Sequence, residues 1–126
     1  MKPVNWSKLN LAAVALNWMT IMVLGLAFAF LAQLLRVETW NEFNAMFTLF
    51  MAFLVFGMSY RLGMRERVQP MAHGLLLGLL VALANLVLSY LTIGLGIREV
   101  AAFLMHILAG ALGGRMAFRV MEGPRR

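Results

Sequence analysis

Hydrophobic residues in this chain fall into four long runs, at positions 11–35, 43–60, 71–93 and 100–120, divided by short polar stretches. A helix needs about 20 apolar residues to cross a bilayer core. Lipid supplies no partner for backbone N–H and C=O groups, so a spanning segment must be a helix or part of a closed barrel. The runs are continuous rather than alternating, which selects helices. The pattern predicts an all-α integral membrane four-helix bundle, one domain over residues 1–126, with spans at the four runs.

The breakers between runs supply the connections. Residues 36–42 form a first turn with Trp40 as an interfacial anchor, and residues 61–70 form the most polar loop. The second span is the shortest, its end blurred by Tyr60, Arg61 and Arg65, which can extend toward headgroups. Pro70 suits the first position of the third helix, where its missing N–H costs nothing. Gly94 and Gly96 make a tight turn ahead of the fourth helix, and Gly123-Pro124 follows it. Spans 1–2 and 3–4 are therefore expected as two antiparallel hairpins.

Charge then orients this bundle. Nine of the eleven Lys and Arg residues fall on one side: Lys2, Lys8, Arg61, Arg65, Arg67, Arg115, Arg119, Arg125 and Arg126. Only Arg36 and Arg98 lie on the other. Basic residues in short flanking loops stay cytoplasmic, so both termini are expected in the cytoplasm of a bacterial inner membrane. The first run, at 25 residues, exceeds the roughly 7–15 of a signal peptide's apolar region, so it is expected to be retained as a helix despite the Ala27-Phe28-Ala29 sequence.

With 63% hydrophobic and 13% charged residues, composition agrees with a membrane class. The formal charge of +6 divides into +7 on the basic side and −1 on the other, which fits topology and contact with anionic lipid better than nucleic-acid binding. Arg61, Arg65, Arg67, Arg115 and Arg119 are the candidate contacts for anionic lipid or an acidic partner surface. The absence of cysteine removes disulfides and thiolate metal sites.

Small residues mark the packing faces. Gly74, Gly78, Ala82, Asn85 and Ser89 recur at spacings of 4, 4, 3 and 4, inside a sector of roughly 80° on a helix. The fourth run has a matching face in Ala102, His106, Ala109, Gly110, Gly113, Gly114 and Ala117. The second has a weaker one in Ala45, Thr48, Ala52 and Ser59, with Phe43, Phe47 and Phe50 opposite. Such stripes let helix backbones approach closely in lipid. They build the bundle itself, or one of them forms a subunit interface.

Polar residues within the runs are few and include Asn17, Thr20, Gln33, Thr48, Asn85, Ser89 and His106, with His73 near the basic boundary. No Asp, Glu or Lys lies in a run, which disfavours a proton- or cation-coupled carrier. No paired carboxylates or Ser/His/Asp arrangement is present, so no catalytic residues, cofactor or metal site are assigned. His73 and His106 are expected at depths more than roughly 10 Å apart by helical rise, too far for one haem. Asn85 and His106 count to similar depths from the other side, and a hydrogen bond between them is expected.

The segments HGLLLGLL (73–80) and LAGALGG (108–114), preceded by a basic turn, resemble the YrzE-like proteins, small four-span bacterial membrane proteins of unknown function. The likeness covers about half the chain, and Gly57-Met58 replaces the paired glycines common in that family. It implies topology and no activity. Three functions fit the residues: a non-enzymatic accessory, assembly or stabilising subunit that packs against other membrane proteins or itself; an oligomeric channel or small-solute carrier; and a haem-, pigment- or quinone-contacting subunit of a redox complex.

Overall fold

The computed structural model describes residues 5–35, 40–92 and 94–123. Four α-helices follow a short 3-10 turn at Trp6–Lys8: α1 (Leu11–Leu34), α2 (Trp40–Glu66), α3 (Pro70–Thr92) and α4 (Ile97–Glu122). Each is long and apolar enough to cross a membrane. Most of the first turn expected at 36–42 lies outside the described residues, although Trp40 already belongs to α2.

The second helix departs from expectation. As a helix it has 27 residues and runs on through Arg61 and Arg65 to Glu66, although its candidate span of 22 residues equals that of α3 and is shorter than the other two. Its last turns are two-faced: Leu62 is 1% exposed and Gly63 buried, whereas Arg61 and Arg65 are exposed. Apolar content alone stops at the first arginine, but the buried stripe does not. The expected loop at 61–70 contracts to Arg67–Gln69, where Arg67 and Gln69 adopt positive φ of 58° and 46° to reverse the chain. Pro70 then opens α3. At the opposite end Gly94, with φ of 84°, donates its N–H to the Ser89 carbonyl, and the Glu99 carboxylate accepts the N–H of Gly96 to start α4.

The helices form a diamond rather than a square. α2, α3 and α4 contact one another, while α1 touches only α2 and α3 and not α4. α1 buries a narrow seam of Val14, Ile21, Gly25 and Ala32, spaced by 7, 4 and 7 residues as in a coiled coil. Much of the rest of its surface is exposed and apolar, including Leu16, Val23, Leu26, Phe30 and Leu34. Phe28 stacks on Phe50 with ring centroids 4.4 Å apart, so the phenylalanine side of α2 is the one that receives α1. The core joins Val14 and Ile21 of α1, Met51, Val55 and Leu62 of α2, and Leu77 and Val81 of α3.

Asn10, Glu66, Gln69, His73 and Ala117 gather at one end of the molecule, termed the base; Gly94–Gly96 marks the apex. Burial of apolar area does not drive helices together in lipid, so close packing and hydrogen bonds must supply the association.

Candidate functional site

Two places on the bundle carry more than ordinary helix contacts: a glycine seam through its middle and a polar cluster at its base. In the seam, a Cβ on Gly74 would run into the carbonyl oxygen of Gly110 and reach within 3.1 Å of the Gly114 nitrogen. On Gly78 it would lie 2.6 Å from the His106 carbonyl oxygen and 3.2 Å from the Gly110 Cα. Only glycine permits backbones this close. Gly113 turns to the other neighbour, where its missing side chain admits the Phe56 carbonyl and Ser59. α4 therefore wedges between α2 and α3, with one set of glycines for each.

Ala82 is fully buried, while Asn85 and Ser89 are only half-buried, farther along α3. The expected Asn85–His106 hydrogen bond is not formed. Neither ring nitrogen of His106 has a partner at good hydrogen-bond geometry, the Ala102 carbonyl one turn back on α4 being the single backbone group in its reach, although the side chain is 1% exposed. The cause is register. Gly78 faces the His106 backbone, and Asn85 sits seven residues nearer the apex, about 10 Å along the helix axis. Counting from the ends of the apolar runs cannot detect this slide, because glycine-to-backbone contact sets it. Ser59 Oγ and Trp18 Nε1 are likewise buried without partners. Asn17 and Thr20 satisfy themselves on their own helix, donating to the carbonyls of Ala13 and Leu16.

The same register keeps the two histidines at different depths: Gly78, which faces the 106–110 stretch of α4, already lies five residues, about 7.5 Å of rise, beyond His73. They also differ in kind. His73 is fully buried at the base with both nitrogens engaged. Its Nε2 accepts the backbone N–H of Asn10 at 3.0 Å, which assigns the proton to Nδ1, donating to the Gln69 carbonyl at 3.0 Å. Asn10 in turn caps α1 by accepting the Ala13 N–H, and its amide donates to the Glu66 carboxylate. Gln69 and Asn5 pair twice: the Asn5 N–H donates to Gln69 Oε1, and Gln69 Nε2 donates to the Asn5 carbonyl, each at 2.8 Å. This latch ties the segment ahead of α1 to the α2–α3 connection. Asn10 directly before the apolar run was its one sequence signal, as an N-cap.

Among the described residues no cluster of three or more His, Asp or Glu side chains could hold a metal ion. Arg61, Arg65 and Arg67 lie near the α2–α3 connection and Arg115 and Arg119 on the last turns of α4, all exposed, while Arg98 lies at the apex. Arg115 and Arg119 flank a notch with Phe56, Leu112 and Met116. Compared with protein-family models, curated proteins and solved structures, the chain matches none.

Proposed function

We propose that this chain is a non-enzymatic multi-pass protein of a bacterial inner membrane, an accessory, assembly or stabilising subunit that acts through helix packing. In this reading both termini are cytoplasmic, the helices pair as two hairpins, and the basic base faces the cytoplasm. The observation that carries it is α1. This helix uses one narrow seam for its own bundle and leaves an exposed face of leucine, valine and phenylalanine, while glycine contacts bring α4 close to both α3 and α2. Among the described residues the buried polar side chains are Ser59, His73 and His106, and of these His73 bonds only at the base.

Purification from native membranes in mild detergent, with co-purifying proteins identified by mass spectrometry, tests the proposal. The expected result is a partner membrane protein at fixed stoichiometry whose level falls when this chain is deleted. A discrete homo-oligomer that conducts solute in liposomes would overturn it. A second reading, contact with haem, pigment or quinone, rests on the unpartnered His106 ring; a visible absorption band on the purified protein would favour it.

A further inference from the structure

Because α1 lies on the far side of the α2–α3 pair, the groove between α2 and α4 has no helix over it. It is a cleft of about 680 Å³, lined by Leu49, Phe53 and Phe56 of α2 and by Leu104, Leu108 and Leu112 of α4. Small residues, Ala52, Ala101 and Ala109, also line it. At its basal end Phe56 and Leu112 also line the notch holding Arg115 and Arg119, so the apolar cleft opens directly onto two guanidinium groups. Neither arginine is paired with an acidic side chain among the described residues. From Ala101 to Leu112 the lining of α4 runs eleven residues, about 16 Å of helix, beginning four residues from the apical end of α4 and ending ten from its basal end.

We infer that the α2–α4 groove is a binding site for one anionic glycerophospholipid, with an acyl chain in the cleft and its headgroup phosphate between Arg115 and Arg119. The match is of two properties made continuous by a shared lining: an apolar slot between α2 and α4, and two arginines at its basal end. A zwitterionic lipid satisfies the slot but leaves the two cations facing a headgroup of no net charge. A second copy of this chain would have to place an apolar helix in the slot and an acidic group at the mouth. At the base the described acidic residues are Glu66, held by Asn10, and Glu122. The site requires only that α2 and α4 span a bilayer and is separate from the accessory role.

Native mass spectrometry of the purified chain, titrated with phosphatidylglycerol or with phosphatidylcholine of identical acyl chains, tests the site. Two arginines at a membrane surface should favour phosphatidylglycerol by roughly 30-fold in apparent affinity. Arg115→Gln with Arg119→Gln should reduce that preference to within a few-fold of unity while leaving phosphatidylcholine binding unchanged. Arg61→Gln with Arg65→Gln, which removes the same charge from exposed positions outside the groove, should leave the preference intact. Ala52→Leu, which fills the cleft and keeps both arginines, should weaken both lipids. Equal binding of the two lipids, equal effects of the two arginine pairs, or a lipid-free dimer blocked by Ala52→Leu would overturn the assignment. The last result would assign the groove to a second copy.

Discussion

Replacing Gly78 with alanine sets a methyl carbon 2.6 Å from the carbonyl oxygen of His106, about 0.8 Å short of the 3.4 Å at which ordinary contact begins. The obstructing atoms are backbone, including the Cα atoms of Gly110 and Ile107 at 3.2 Å, so no side chain can rotate away. α3 and α4 must separate, and a gap of 0.5–1 Å forfeits a quarter to a half of the dispersion energy of each contact it opens. Overpacking of this kind typically costs about 1–3 kcal/mol. Two other glycines grade the effect. A Cβ on Gly25 meets the flexible end of Met51 at 2.9 Å, and a Cβ on Gly57 meets nothing within 4 Å. Unfolding by SDS in mixed micelles, followed by circular dichroism, should rank Gly78→Ala well below Gly25→Ala. Gly57→Ala should stay within about 0.5 kcal/mol of the parent, as for a surface change. If Gly78→Ala and Gly57→Ala were equally stable, the seam would not hold the bundle together.

Three further substitutions probe the buried polar groups. His106→Leu should be neutral or stabilising, because an unpartnered buried polar group costs about 1–3 kcal/mol; a loss of stability would mean that the ring has a partner. A double-mutant cycle of His106→Leu with Asn85→Leu should give coupling near zero, where a hydrogen bond between them would give about 0.6 kcal/mol. His73→Leu removes the acceptor for the Asn10 N–H and the donor to the Gln69 carbonyl, and should increase amide exchange in residues 5–10. Unchanged exchange there would dismiss the latch.

Much of the architecture is legible because the bilayer imposes it. Continuous apolar runs leave helices as the solution, and Pro70 begins α3 as its missing N–H allows. The small stripe on α3 is visible at helical spacing, and Gly74 and Gly78 do meet the backbone of α4. Features that depend on how helices slide and group are not legible. The distance between Asn85 and His106 depends on which glycine opposes which carbonyl, and apolar runs have no marker for that. The extension of α2 to Glu66 is hidden because Arg61 and Arg65 end the apolar run while Leu62 and Gly63 continue the buried face. The outer position of α1 is equally silent, since a helix apolar nearly all round could sit in the centre or at the edge. The joint cleft of α2 and α4 follows from that position, and so does its mouth at Arg115 and Arg119.

With no cysteine in the chain, single cysteines can be labelled on a clean background. Ser7→Cys and Glu122→Cys place a thiol at the base, beside each end of the bundle, and Leu95→Cys places one at the apex. In intact cells a membrane-impermeant maleimide should label Leu95→Cys alone, with Ser7→Cys and Glu122→Cys reacting only after the membrane is opened. Labelling of Ser7→Cys and Glu122→Cys from opposite faces, or of all three without permeabilisation, would contradict a four-span bundle anchored with its basic end in the cytoplasm.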